Sequence, residues 1–253
     1  MKLHILGCSS VYPCGGQATS SYLVETTRGG LLVDCGHEAP SKLVEYSGLR
    51  ELSAVIVSHM HPDHFYGLFA LSNCVGAEKL PQLPLYLPPG GSGVLQIVAD
   101  EIGVDYERVL DCFQLVEYDP VRSNFINGLT IQIMPTRHPI NTYAMRFSES
   151  TSDNQLVFTS DTAWFDELVG FCSGAQLLLV EATDYPQPEA DESIHRWHLG
   201  PAEAGRLIRE AKVDRAIVTH YDARHSQAIL SDVRSVSSND RVVLARPHEE
   251  HLI

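Results

Sequence analysis

Residues 54–64 read AVIVSHMHPDH, an apolar, β-branched run that stops at Ser58 and passes straight into His59, His61, Asp63 and His64. No other part of the chain is so constrained, because this strand must bury its apolar half and then deliver four metal-ligand side chains within six residues. The turn after a strand can splay alternate side chains, so His59 and His61 can face one cation while Asp63 and His64 face a second. Pro62 fixes a backbone angle and removes a donor, which favours a set arrangement over a loose loop. An exposed histidine-rich turn would explain the composition, but not its place at the end of a buried strand.

Two cations need more ligands than this turn holds, and the ends of other apolar runs are where they would be found. His138 follows LTIQIMPTR, Asp161 follows QLVFTS and His220 follows RAIVT. Each alone reads as an ordinary surface or core residue. Together they repeat one geometry, a strand emptying into a loop, and loops at one sheet edge form the natural crevice for ligands.

Short runs rich in Val, Ile and Leu predict strands at 3–6, 22–25, 31–34, 54–57, 85–87, 129–134, 142–147, 156–159, 177–180, 216–219 and 242–245. Helical periodicity is expected at 39–46, 66–75, 93–102, 164–171 and 201–211. The last has the clearest start, with Gly200 to cap, Pro201 at the first helical position and Glu203 in the first turn. Early strands read as hairpins and later ones alternate with helices, so the expected class is α/β (α+β) with mixed sheets covered by helices. A chain of 253 residues in this class is expected to form one domain, 1–253. No internal repeat or low-complexity linker is visible.

The formal net charge of −14 gives no basic footprint for nucleic acid, although a local cation site could still attract an anionic small molecule. The opening MKLHILGCSS has no charged lead into a long apolar run, and no stretch approaches the length of a membrane helix, so the expected location is the cytoplasm. Cysteines 8, 14, 35, 74, 112 and 172 show no CxxC spacing and are expected to be free thiols.

SHMHPDH, His138, Asp161 in FTSDT and His220 in VTHYD resemble, in order, the motifs of the metallo-β-lactamase superfamily. The similarity begins at KLHILGCSS and LLVDCG, like the opening hairpin of that family with its buried aspartate. EATDY followed by HLGPAEAG is closest to the branch containing ribonuclease Z and phosphodiesterases. The resemblance implies a four-layer αββα sandwich with the site along one edge. It further implies that His59, His61 and His138 bind a first cation, that Asp63, His64 and His220 bind a second, and that Asp161 bridges them. His198 would sit beside the substrate, Glu181 would orient it, and Asp63 could also steer the attacking water. His195, three residues before His198, competes for the same role, and Asp34 is either a support behind the ligands or a turn residue.

What the resemblance implies is a hydrolase holding two divalent cations, zinc by preference with manganese or iron as alternatives, since imidazole suits all three. The favoured substrate is a small anionic phosphodiester such as a cyclic nucleotide. Alternatives are a lactone, thioester or carboxylic ester hydrolase, and a minimal ribonuclease Z-like RNA endonuclease. The last is disfavoured because 22 residues between His138 and Asp161 leave no room for the basic arm of bacterial ribonuclease Z. A scaffold that merely retained the fold would be expected to have lost a ligand. A homodimer is the expected assembly.

Overall fold

The computed structural model describes residues 1–149, 152–185 and 196–253. The first part of the chain supplies β1 (Lys2–Gly7), β2 (Ser21–Thr26), β3 (Gly29–Val33), α1 (Ala39–Tyr46), β4 (Leu52–Ile56), α2 (Pro62–Phe65), α3 (Gly67–Ala77), β5 (Leu83–Leu87), α4 (Gly91–Glu101), α5 (Tyr106–Cys112) and β6 (Phe113–Glu117). The rest supplies β7 (Asn124–Ile126), β8 (Leu129–Pro135), β9 (Tyr143–Glu149), β10 (Gln155–Phe158), α6 (Glu167–Cys172), β11 (Leu177–Glu181), α7 (Pro201–Glu210), β12 (Arg215–Thr219), α8 (Ser226–Ser237), β13 (Val242–Leu244) and β14 (Glu250–Leu252).

Among the described residues these strands form two sheets, in the orders β14-β1-β2-β3-β4-β5-β6 and β13-β12-β11-β10-β9-β8-β7. Both are mixed in the same way. The pairs from β1 to β3 are antiparallel and those from β3 to β6 parallel. Pairs from β7 to β10 are antiparallel and those from β10 to β13 parallel. The topology therefore repeats although the sequence shows no repeat, and β14 ties the end of the chain back to β1.

Four layers follow from how the strands alternate. In β4, Ala54 and Ile56 join the core between the sheets, whereas Val55, and Val57 just beyond the strand, pack under α1, α3 and α4. In β11, Leu177 and Leu179 face the first sheet, while Leu178 and Val180 lie under the α6, α7 and α8 layer. Strands buried on both faces must be apolar at nearly every position, which is why these runs read as continuous rather than alternating. Removing one such leucine side chain costs roughly 2–5 kcal/mol. Helix α7 starts as expected, with the Glu203 side chain accepting from the Gly200 N–H at 2.9 Å.

Candidate metal centre

The seven predicted ligands stand at the C-terminal ends of four strands. His59, His61, Asp63 and His64 follow β4, His138 follows β8, Asp161 follows β10 and His220 follows β12 directly. Three strand-end residues leave the β region altogether: Asp34, Ser160 and His220 adopt left-handed φ values of 58°, 52° and 49°. For a residue with a Cβ this costs about 1–3 kcal/mol, a strain that persists where surrounding contacts over-determine it.

Those contacts are visible around the histidine-rich turn. The Ser58 N–H donates to Asp34 Oδ1 at 2.7 Å, and the Tyr118 hydroxyl donates to the carbonyls of Val57 and Ser58 at 3.1 and 3.2 Å. Pro62 opens the short helix α2, which turns Asp63 and His64 inward. The loop carrying Asp34 packs backbone to backbone on this turn. A Cβ on Gly67 would meet the Gly36 carbonyl oxygen at 2.1 Å, and one on Gly36 would meet the Asp63 carbonyl oxygen at 2.6 Å.

One cluster forms around His61. Its Nδ1 lies 3.1 Å from His59 Nε2 and 3.0 Å from His138 Nε2. In the second, His220 Nε2 lies 3.3 Å from His64 Nε2 and 3.2 Å from Asp63 Oδ2. Asp161 Oδ2 stands between them, 3.6 and 4.0 Å from the first cluster's His59 and His138, and 3.5 and 3.6 Å from the second's His64 and His220. Within each cluster all donor atoms lie within 4.8 Å of one another.

This donor set fits divalent cations. Four ligands at zinc–nitrogen distances stand about 3.3 Å apart in a tetrahedron, close to the nitrogen spacings here. Protein chemistry alone gives no reason for five imidazoles to turn ring nitrogens at one another, since facing lone pairs repel. Four of the rings also have the other nitrogen occupied. His64 Nδ1 pairs with Asp34 Oδ2 at 2.7 Å, His59 Nδ1 with Ser58 Oγ at 3.0 Å, His138 Nδ1 with the Trp197 carbonyl at 3.1 Å and His220 Nδ1 with Thr183 Oγ1 at 2.7 Å. A proton held on the outer nitrogen leaves the inner one as a lone pair.

Burial holds the His59 imidazole well below its usual range and lowers His61 and His138 as well, so these rings stay neutral, as ligands must. His64 runs the other way: burial opposes its charge, but Asp161, Asp34 and Asp63 outweigh it and raise the ring, favouring a proton where a cation would compete. Burial also works against ionised Asp63, yet His64 and His220 prevail and keep it deprotonated.

His198 and Glu181 meet at the rim. His198 Nδ1 donates to Glu181 Oε2 at 2.9 Å and lies 3.9 Å from Asp161 Oδ2, which leaves Nε2 outside that bond. Burial would lower this imidazole, but Glu181 and then Asp161 raise it to about 9. Burial pushes Glu181 up, against the pull of His198. Asp34 takes the supporting place rather than the turn role, and His195 lies outside the described residues. Three contributors were not foreseen: the hydroxyls of Ser58 and Thr183 and the carbonyl of Trp197. The six cysteines are free thiols, as expected.

A sequence profile described as "Beta-lactamase superfamily domain" matches residues 30–221. The chain is 29% identical over 223 residues to "Probable metallo-hydrolase YhfI" of Bacillus subtilis (strain 168), covering 87% of this chain and 86% of that protein. It is 25% identical over 279 residues to a ribonuclease Z of Phocaeicola vulgatus, covering 88% of each. The crystal structure of the Bacillus subtilis YhfI, a metallo-beta-lactamase fold protein, superposes with a TM-score of 0.84 at 26% identity, over 99% of this chain and 98% of that one.

Proposed function

From the premise that the chain belongs to the beta-lactamase superfamily and is a metallo-hydrolase with a His/Asp cluster, we propose that it is a phosphodiesterase acting on a small phosphodiester such as a cyclic nucleotide. The observation that carries the reading is the hydrogen bond of His198 to the buried Glu181, 3.9 Å from Asp161. It sets a proton donor beside the cluster, where the leaving oxygen of a bound ester would lie.

In this reading His59, His61 and His138 would hold one divalent cation, Asp63, His64 and His220 would hold another, and Asp161 would serve both. Zinc is the preferred ion for such nitrogen and carboxylate ligands. Bound there, the cations would supply Lewis-acid charge and lower the pKa of water toward neutrality. The ionised Asp63 accepts a hydrogen bond from the attacking water and steers it. His198 donates its Nε2 proton to the departing oxygen, and Glu181 fixes the ring's tautomer and stabilises its positive charge. A cationic rim group suits an anionic diester better than a neutral lactone or thioester. The same reading takes residues 1–253 as one domain working in the cytoplasm, as a homodimer.

Purified, zinc-loaded protein should hydrolyse bis-p-nitrophenyl phosphate and at least one cyclic nucleotide. No turnover, or turnover untouched by His198→Ala, contradicts the proposal, and turnover confined to lactones or thioesters moves the assignment to carboxylic esters. A second reading, a minimal pre-tRNA endonuclease, is favoured by the similarity to ribonuclease Z over 88% of both chains. Against it stand the net charge of −14 and the short span from His138 to Asp161. Cleavage of a pre-tRNA 3′ trailer without cyclic-nucleotide turnover would decide for the second.

A further inference from the structure

The cluster rests on two buried carboxylates, each reaching two imidazoles by the same device. Asp34 Oδ2 pairs directly with His64 Nδ1 at 2.7 Å and also accepts from the Ser58 hydroxyl at 2.9 Å. That hydroxyl in turn lies 3.0 Å from His59 Nδ1. Glu181 Oε2 pairs directly with His198 Nδ1 at 2.9 Å and accepts from the Thr183 hydroxyl at 2.6 Å, which lies 2.7 Å from His220 Nδ1.

We infer that Ser58 and Thr183 are positioning residues, one for each cation: Ser58 fixes His59 in the first cluster and Thr183 fixes His220 in the second. The inference rests on the metal-centre reading above and adds to it which hydroxyl governs which ion.

A hydroxyl has one proton to give and lone pairs to receive. Ser58 Oγ gives its proton to Asp34 and so presents a lone pair to His59, which must carry its own proton on Nδ1. Thr183 Oγ1 has two acceptors in reach, Glu181 Oε2 at 2.6 Å and the His220 carbonyl at 2.6 Å. The carboxylate is the charged one and forms the stronger bond. Thr183 then receives the Nδ1 proton of His220, leaving Nε2 bare toward Asp63, His64 and Asp161.

Direct contact to the carboxylates is not open to these two rings. Asp34 Oδ1 is taken by the Ser58 N–H and Glu181 Oε1 by the Thr162 N–H at 2.7 and 2.5 Å, while the remaining oxygens already hold His64 and His198. Without the hydroxyl, a neutral imidazole could place its proton on the inward nitrogen or turn within its pocket, and either loses a ligand. Ser58, Asp34 and Glu181 are fully buried and Thr183 is half-buried, so water is a poor substitute at Ser58 above all.

The test is zinc binding by equilibrium dialysis with elemental analysis, on the full-length wild type and on Ser58→Ala, Thr183→Val, Ser58→Thr and Thr183→Ser. Circular dichroism confirms that each variant is folded. Wild type should bind two zinc ions. Ser58→Ala should weaken, by about 10–100-fold, the same binding step that His138→Ala removes, and Thr183→Val the step that Asp63→Ala removes. Ser58→Thr and Thr183→Ser keep a hydroxyl and should restore wild-type affinity in both steps.

If the wild type binds two zinc ions but the hydroxyl-free variants bind as tightly, the inference fails while the metal centre stands. It also fails if each variant weakens both steps alike, or if the hydroxyl-bearing variants do not recover. A wild type that takes up no zinc overturns both.

Discussion

Asp34 Oδ2 lies 2.7 Å from His64 Nδ1, and neither residue exposes any surface. The pair joins the end of β3 to the turn after β4, so a carboxylate from one strand fixes an imidazole delivered by the next. Asp34 also accepts from the Ser58 N–H and hydroxyl, which makes it an anchor of the histidine-rich turn alongside Tyr118.

Replacing Asp34 by Asn keeps a side chain that tolerates left-handed backbone but cannot accept from three donors with both its polar atoms. Asp34→Asn should remain folded and lose about 10–100-fold in zinc affinity. Asp34→Ala strands buried donors at roughly 1–3 kcal/mol each and should lower unfolding free energy by about 3 kcal/mol. Metal titration and urea unfolding check the two outcomes.

His198 as general acid must be protonated, so turnover should fall as pH rises through its pKa. The protein alone sets that at about 9, and neighbouring cations can only lower it, so the alkaline limb should lie at or below pH 9. His198→Ala should lose about 10²–10⁴-fold in kcat and lose that limb, with zinc content unchanged. A limb that persists in the variant assigns the proton to another group.

The Tyr22 hydroxyl in β2 and Thr219 Oγ1 in β12 lie 2.7 Å apart and link the two sheets beneath the cluster. Tyr22→Phe leaves the Thr219 hydroxyl buried without this partner. Unfolding in urea should show a loss of about 1–2 kcal/mol with an unchanged m-value.

Glu117 offers a pH test remote from the cluster. Its carboxylate accepts from the Gly90 and Ser92 N–H groups at 3.0 and 3.2 Å, at the start of α4. The Gly90 bond is the main reason its carboxyl is held below the usual range, with burial opposing and Ser92 adding to it. A carboxyl depressed by folding stabilises above its unfolded pKa and loses that contribution as pH falls through the folded value. Glu117→Gln should therefore cost about 0.5 kcal/mol at pH 7, the small size reflecting solvent screening, and the difference should vanish in acid. A constant difference from pH 7 to pH 3 would show that shape rather than charge matters.

The seven candidate ligand positions were legible because each follows an apolar run, and a strand doubly buried between sheet and helices must read that way. The hydroxyls were not legible. Ser58 matters because Asp34, 24 residues earlier, lies across from it, and Thr183 because Glu181 and His220 converge on it from neighbouring strands. Trp197 acts through a carbonyl, which every residue has, so no side-chain pattern marks it.

The fold's main strands and five helices followed from periodicity, whereas the short α2 and α5, helix α8 and three edge strands did not. Helix α8 carries SQAILSDVRSVS, whose serines resemble a loop, yet Ile229 and Val233 bury one face against the second sheet's helical layer. Strands β6, β7 and β14 are edge strands of three to five residues, held by neighbours rather than by their own pattern. Hairpin-like and helix-alternating strands announced mixed sheets, but the repetition of one pairing order in both sheets has no sequence signature, because it depends on connections and not on residue type.

The most direct measurement is anomalous diffraction at the zinc edge from crystals grown with zinc. Two peaks are expected, one among His59, His61 and His138 and one among Asp63, His64 and His220, with Asp161 between them. An ordered cluster with no peak, or with zinc bound only elsewhere on the surface, would contradict the proposed centre and the chemistry drawn from it.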